Sequence, residues 1–252
     1  MDTVISITTT PPRLPYIDPV IASLKKQDLP VQLWIPQFYK RGNQSFNGKI
    51  PDFCHGINVE IVEDEGPITK LLPAIRAGFK RIITADDDRI VPEGWAAGLM
   101  SYSDARPNAA YGYCGRILQK HHRDFRRGTF VYSPHFPTPV TIIEGAMGAL
   151  YLNSFFTDSI YNESQKYYTQ DDIAISLHLK EHGVPMMVVP GPPLKDCSVS
   201  SIQPLGQKNM NGGNKAYLAK YNTRFRLLGI DPIVEHRRHP SRAIRPSPHS
   251  PS

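Results

Sequence analysis

The chain has 252 residues, of which 40% are hydrophobic and 21% charged, and it carries a formal net charge of +6. This composition is ordinary for a soluble globular protein and allows one large domain or two small ones. The sequence contains no apolar stretch of about 18 residues and no basic-then-apolar leader, which argues against a membrane span and a secretory signal. The expected location is therefore cytoplasmic.

The cysteines and the distribution of positive charge narrow the class of protein further. Cys54, Cys114 and Cys197 are far apart and form no CxxC pair, which argues against a disulfide framework and a zinc site. The stretch 236–252 contains four arginines and no acidic residue, so it accounts for four of the six net positive charges. Residues 1–235 are therefore nearly neutral. That stretch is rich in Pro, Ser and Arg and is predicted to be a flexible tail, or a linker to a further domain. A nearly neutral body does not favour nucleic acid as a partner.

Short runs of β-branched residues alternate with helical patterns along the chain. The runs predict strands at residues 3–7, 31–36, 57–62, 81–86, 109–117, 141–145 and 185–190. The helical patterns lie at residues 15–27, 69–80, 94–105 and 171–183, the last ending in Gly183 as a C-cap. This alternation predicts a single Rossmann-like α/β domain, with a mainly parallel central sheet and helices on both faces. Ligands of such domains bind at the carboxyl ends of the strands.

A long loop is expected between the fifth and sixth predicted strands. Residues 118–139 are basic and aromatic and show no helical or strand period. Loops of that length in compact domains are usually functional or disordered. The loop is either solvated, or it contacts an acidic or phosphorylated acceptor or helps to close the site.

Three consecutive aspartates follow the fourth predicted strand in "ITADDDRIVPEGW", residues 83–95. If the strand continues through them, Asp86 and Asp88 point to one face and Asp87 to the other. Two carboxylates about 4 Å apart repel by roughly 4 kcal/mol near a protein surface, so they need hydrogen bonds, a proton or a cation. Mg²⁺ or Mn²⁺, held by one or two carboxylates and by substrate phosphates, meets that need. A solvated acidic turn is the alternative interpretation.

The segment "EDEGPITKLLPAI", residues 63–75, combines a strand end, an acidic glycine turn and a helix. Gly66 lets a ligand approach the backbone, and Asp64 can accept a hydrogen bond from a base or a ribose hydroxyl. Lys70 can bind a phosphate. A capped helix with an exposed lysine is the alternative.

A second acidic group lies in "YTQDDIAISLHL", residues 168–179. Asp171 and Asp172 start an amphipathic helix, so they lie next to each other at its first turn. Paired carboxylates suit acid–base chemistry, but acidic groups at this position also interact favourably with the helix dipole.

Together these segments resemble GT-A-fold glycosyltransferases of the family 2 type, which use nucleotide sugars. The strongest point of resemblance is the apolar strand that runs into DxD and a helix with Gly-Trp at its start. The resemblance covers most of residues 3–230 and implies a nucleotide-binding part at about 1–90 and an acceptor part at about 91–235. The other matching segments, in chain order, are "SITTTPPRL" (6–14), residues 63–75, "TIIEGAMGALY" (141–151) and residues 168–179.

The resemblance implies a role for each candidate residue. Asp88 and Asp86 would hold Mn²⁺ or Mg²⁺, and Asp172 would be the general base, with Asp171 as the alternative because the family more often has Glu-Asp here. The nucleotide would be bound by Thr8, Thr9, Thr10, Arg13, Asp64, Gly66, Lys70, Asp86 and Asp87. The sugar pocket would contain Trp95, Glu144 and Gly145, with a core tryptophan and a packing glycine as open alternatives.

The expected activity is metal-dependent transfer of a sugar to an acceptor hydroxyl of a carbohydrate or glycoconjugate, with inversion. The resemblance implies a UDP-sugar as donor and leaves dTDP and GDP open. A carbohydrate-binding or catalytically inactive relative and a glycoside hydrolase that uses paired carboxylates without metal are the alternatives. A nucleotidyltransferase is disfavoured, because "TTTPPRL" lacks the glycines that would hold a triphosphate.

Overall fold

The computed structural model describes residues 2–118, 128–166 and 168–202. Most of the basic residues of the predicted loop 118–139, and the whole of the predicted tail 236–252, lie outside these residues. Among the described residues, no helix combines the length and apolar character that a membrane crossing requires.

Strands and helices alternate through the described residues, as the sequence predicted. The strands are β1 (Thr3–Thr8), β2 (Val31–Pro36), β3 (Phe38–Tyr39), β4 (Gln44–Ser45), β5 (Asn58–Val62), β6 (Arg81–Ala85), β7 (Arg89–Ile90), β8 (Ala110–Ile117), β9 (Thr129–Tyr132), β10 (Thr138–Pro139), β11 (Ile142–Leu152), β12 (Met186–Val188) and β13 (Lys195–Asp196). The helices are α1 (Asp18–Lys25), α2 (Leu72–Arg76), α3 (Trp95–Ala105), α4 (Ser159–Lys166) and α5 (Asp171–Glu181). A 3-10 turn, Gly66–Lys70, lies between β5 and α2.

Among the described strands, nine form one central sheet. Its order is β10-β12-β8-β11-β6-β1-β2-β5, and β9 pairs with the second half of β8. The N-terminal half, β6-β1-β2-β5, is parallel, whereas β11 is antiparallel to both β6 and β8. The α/β prediction is confirmed, with a sheet that is parallel in its N-terminal half and mixed as a whole. The carboxyl ends of β1 and β6 lie side by side, since Ile7 pairs with Ala85.

Helices cover both faces of the sheet, as predicted. On one face α1 and α3 pack against the strands through Val20, Ile21 and Leu99. On the other face the Gly66–Lys70 turn, α2 and α5 pack through residues such as Leu72 and Ile175. Because apolar side chains are buried on both faces, every residue of β2 is buried.

Several elements differ from their predicted bounds. The strand predicted at 141–145 continues to Leu152, with a register shift between Glu144 and Ala149. Strand β6 ends at Ala85, so the aspartates that follow belong to a turn. Helix α2 is short, because the 3-10 turn takes the place of its predicted first turn. The sequence did not predict α4, β9 and β10, which are short or polar and carry little periodic signal.

Candidate active site

A cavity of about 450 Å³ opens where the carboxyl ends of β1 and β6 meet the start of α5. It brings the two acidic motifs of the sequence into one place, although more than 80 residues separate them in the chain. The predicted site residues that line it are Thr8, Thr9, Thr10, Arg13, Asp64, Gly66, Lys70, Asp86, Asp87, Asp88, Asp171 and Asp172. The cavity is therefore the candidate active site.

Asp87 anchors the aspartate turn to the end of β1. Its buried carboxylate accepts hydrogen bonds from Thr9 Oγ1 at 2.6 Å and from Arg13 Nη1 at 2.5 Å. Burial raises the pKa of Asp87 to about 6, although Arg13 and Thr9 oppose the rise. Both oxygens of Asp87 therefore have protein partners, and these contacts connect the turn to the end of β1.

Asp88 has looser contacts than its two neighbours. Among the described residues, the basic groups nearest to its carboxylate oxygens are Arg89 Nε at 3.7 Å and Arg13 Nη2 at 3.9 Å, both beyond hydrogen-bond distance. Its side chain is 24% exposed, so a further ligand can reach it. Burial, and then the charge of Asp86, raise the pKa of Asp88 above its ordinary value.

Lys70 joins two acidic groups, the aspartate triplet (Asp86, Asp87 and Asp88) and the acid pair (Asp171 and Asp172). Its Nζ lies 2.6 Å from Asp86 Oδ1 and 2.9 Å from Asp171 Oδ2, and its side chain is only 7% exposed. Burial alone would lower the pKa of Lys70, but Asp171 and Asp86 outweigh it and hold that pKa well above its usual range. For Asp86 the signs are opposite. Burial alone would raise the pKa of Asp86, but the charge of Lys70 outweighs burial and holds that pKa below its ordinary value.

Asp172 lies beside Asp171 in the first turn of α5 but has a different environment. Its Oδ1 accepts the backbone N–H of Gly145 at 2.8 Å. Burial, followed by the charge of Asp171, raises the pKa of Asp172 well above its ordinary value. A carboxylate with a raised pKa is suited to taking up a proton near neutral pH.

The balance of charge in the cavity bears on whether a metal fits. The acidic lining residues are Asp64, Asp86, Asp87, Asp88, Asp171 and Asp172, and the basic ones are Arg13, Arg41, Lys70 and Arg89. The carboxylates outnumber the basic groups by six to four, so an added cation would favour binding of an anionic ligand such as a diphosphate.

Two of these carboxylates match the donor set of a hard divalent cation. Among the described residues, no group of three His, Cys, Asp or Glu side chains is placed to hold a metal. Mg²⁺ and Mn²⁺ often take only one or two protein carboxylates and complete their shell with water and substrate phosphates. Asp86 and Asp88 could meet that smaller requirement, because among the described residues Asp88 has only long contacts with basic groups and Lys70 binds Asp86 through Oδ1.

Asp64 binds groups of the protein itself. Its Oδ1 accepts the N–H of Gly66 at 2.8 Å, and its Oδ2 accepts the N–H of Lys40 at 2.8 Å and the hydroxyl of Tyr168 at 2.7 Å. The side chain is buried. These contacts join three chain segments, whereas the sequence had suggested only a contact with base or ribose.

Trp95, Glu144 and Gly145 are predicted site residues that do not line the cavity. Trp95 is the first residue of α3 and is fully buried in the core, where its Nε1 donates to the carbonyl oxygen of Met147 at 2.9 Å. It has no exposed face on which a sugar could stack. Trp95 therefore occupies the core position that the sequence analysis had left as the alternative. The sequence could not distinguish the two positions, because a tryptophan at a helix start can either stack on a sugar or pack in the core.

Glu144 and Gly145 lie next to the acid pair rather than in the cavity wall. Glu144 Oε1 is 2.6 Å from Arg116 Nε, and its side chain is 12% exposed. The N–H of Gly145 binds Asp172, and a Cβ added to Gly145 would lie 3.1 Å from Lys70 Nζ. Gly145 thus supports the acid pair through its backbone and through its small size.

Further lining residues were not singled out by the sequence: Pro36, Tyr39, Arg41, Pro67, Arg89, Ala146, Tyr168 and Thr169. Arg89, Tyr168 and Thr169 adjoin the acidic motifs, so extending each motif by a few residues would have found them. Tyr39 and Arg41 belong to the β3–β4 hairpin, where Arg41 Nε donates to Tyr39 Oη at 2.6 Å. No periodic pattern in the sequence indicated that hairpin.

No protein-family model and no curated protein matches the chain. Among solved structures, the chain is similar to the crystal structure of S. aureus TarS 1-349, with 11% identity and a TM-score of 0.46 over 77% of this chain and 59% of that one. A second crystal structure of S. aureus TarS has 12% identity and a TM-score of 0.42 over 77% of this chain and 36% of that one. The chain thus spans less than two thirds of either structure. A likeness at this level supports no functional conclusion.

Proposed function

We propose that the protein is a metal-dependent glycosyltransferase that moves a sugar from a UDP-sugar to a hydroxyl group of a carbohydrate or glycoconjugate, with inversion. The observation that carries the proposal is one cavity with two kinds of carboxylate. Asp88 is loosely held within an aspartate triplet, and Asp172 has a raised pKa within a separate acid pair. The reaction needs both a cation site for the leaving diphosphate and a proton acceptor for the incoming hydroxyl.

The triplet side of the cavity suits the leaving group. Transfer breaks the bond between the anomeric carbon and a diphosphate oxygen, so negative charge grows on the diphosphate. A divalent cation held by Asp88 and Asp86 would supply Lewis-acid stabilisation of that charge when bound. Arg13 and Lys70 neutralise Asp87 and Asp86, which reduces the repulsion between the protein and the diphosphate.

The acid-pair side suits the acceptor. Asp172 takes the proton of the acceptor hydroxyl while the oxygen attacks the anomeric carbon from the face opposite the diphosphate. The N–H of Gly145 fixes Asp172 Oδ1, which leaves Oδ2 for the proton. Asp171 remains paired with Lys70, and its charge helps to keep the pKa of Asp172 high.

A panel of UDP-, dTDP- and GDP-sugars, incubated with the protein, Mn²⁺ and a mixture of carbohydrate acceptors, tests this function through the nucleoside diphosphate that is released. We expect release from one or a few UDP-sugars and its loss when EDTA replaces Mn²⁺, since the cavity has an excess of carboxylates. Release that is unchanged in EDTA would contradict the role of the metal. Cleavage of nitrophenyl glycosides without any nucleotide would instead support a glycoside hydrolase.

A further inference from the structure

Two segments that line the cavity, residues 64–70 and 168–171, contact each other at both of their ends. Tyr168 donates its hydroxyl hydrogen to Asp64 Oδ2 at 2.7 Å. Lys70 Nζ lies 2.9 Å from Asp171 Oδ2. The segment 64–70 and the start of α5 are therefore held together by a hydrogen bond at one end and a buried ion pair at the other.

Backbone packing between these two contacts is equally close. Gly66 has a φ of +81°, and a Cβ added to it would overlap the carbonyl oxygen of Tyr168. The same Asp64 carboxylate that binds Tyr168 also accepts the N–H of Gly66 at 2.8 Å. We call Asp64, Gly66 and Tyr168 the Asp64 clasp. Each member of the clasp both lines the cavity and contacts another member.

We propose that Tyr168 is a positioning residue. Through its hydrogen bond to Asp64, it couples nucleotide binding at the side of the cavity lined by Asp64 and Gly66, the nucleotide side, to the position of the acid pair. The inference rests on the proposed function, because it assigns that side of the cavity to a nucleoside diphosphate. A ligand in contact with Asp64 and Gly66 restrains the clasp. The first turn of α5 then opens less often, since opening requires the bond between Tyr168 and Asp64 to break.

The consequence for the reaction is a more firmly held general base. Asp172 lies four residues after Tyr168 and belongs to the turn that the clasp restrains. The base, which the N–H of Gly145 already positions, is therefore held more firmly once the donor nucleotide is bound. By linkage, whatever stabilises the first turn of α5 also strengthens nucleotide binding.

Hydrogen–deuterium exchange of the full chain, with UDP and Mn²⁺ as the probe, tests the coupling. In the wild type, saturating UDP and Mn²⁺ slow exchange by about threefold or more in peptides covering both 64–70 and 168–175. Tyr168→Phe keeps the aromatic ring and removes only the hydroxyl group. We expect it to retain protection of 64–70 on UDP binding and to lose protection of 168–175.

Tyr16→Phe is the matched control, because Tyr16 is 55% exposed and lies outside the cavity. It should behave as the wild type does. Equal ligand-dependent protection of 168–175 in the wild type and Tyr168→Phe overturns the proposal, and so does protection of 64–70 alone in the wild type. Absence of protection at 64–70 in the wild type, with UDP and Mn²⁺ present, overturns the proposed function and this inference with it.

Discussion

Replacing Asp172 with asparagine is expected to lower kcat for sugar transfer by a factor of about 10²–10⁴, the usual contribution of a general base. Asparagine still accepts the N–H of Gly145 but cannot take up the proton of the acceptor hydroxyl. The measurement is the initial rate of UDP release from the donor that the wild type uses. The affinity for UDP in Mn²⁺, measured by calorimetry, should change little, because Asp172 acts on the acceptor.

Asp158→Asn is the control for this experiment. Asp158 is an exposed aspartate outside the cavity, so the same chemical change there should leave the rate at the wild-type value. Loss of transfer in Asp171→Asn, together with a nearly normal rate in Asp172→Asn, would assign the base to Asp171 and contradict the account.

The pH dependence of the same reaction has a predictable sign. The base must be ionised, so kcat rises with pH through the apparent pKa of the acid pair. Burial and Asp171 raise the pKa of Asp172 well above the ordinary aspartate value of 3.8, so the acid limb of the profile should lie well above pH 3.8. Asp171→Asn removes a like charge and should move that limb to lower pH.

Replacing Lys70 with methionine is expected to lower the free energy of unfolding by about 3–5 kcal/mol at pH 7, the usual effect of removing one partner from a buried ion pair. Methionine fills much of the same space but leaves Asp86 and Asp171 without the cation between them. Urea denaturation followed by circular dichroism measures the change. Lys80→Met is the control, because Lys80 and Asp2 form an exposed pair and the variant should unfold as the wild type does.

Linkage adds a pH signature to this stability loss. Lys70 holds the folded pKa of Asp86 below 3.8 despite burial, so their pairing stabilises the fold above that pH and is lost as pH falls through the folded pKa. In Lys70→Met, the carboxylates of Asp86 and Asp171 lack their cation and can take up protons at acidic pH. The stability difference between the variant and the wild type should therefore shrink between pH 7 and about pH 4. A difference that stays constant over this range would show that the ion pairs contribute little.

The parts of the fold that follow from local patterns could be predicted from the sequence. Buried β-branched runs at 3–7 and 81–86 indicated strands, and parallel pairing of β1 with β6 then brings Thr9 and Asp87 to one edge of the sheet. The acid pair was likewise predicted at a helix start, which is where α5 begins. Gly183, expected as a C-cap, has the positive φ of +70° that such a position uses.

The partners of the site residues could not be predicted, because they depend on contacts between distant segments. The hydrogen bond from Tyr168 to Asp64 spans 104 residues of the chain, and neither residue carries a signal of the other. The β3–β4 hairpin that supplies Tyr39 consists of two-residue strands, which are too short for a periodic pattern. Trp95 shows the same limit, because a buried tryptophan and a sugar-stacking one look alike in the sequence.

A calorimetric titration of UDP into the protein tests whether the aspartate triplet recruits a cation for the diphosphate. The titration is performed in Mn²⁺, in EDTA, and on Asp88→Ala in Mn²⁺. We expect binding in Mn²⁺, no binding in EDTA, and loss of the metal-dependent binding in Asp88→Ala. Asp158→Ala, which changes an exposed aspartate outside the cavity, should bind as the wild type does. Equal binding of UDP in Mn²⁺ and EDTA, or unchanged binding in Asp88→Ala, would contradict a site in which the aspartate triplet recruits a cation for the diphosphate.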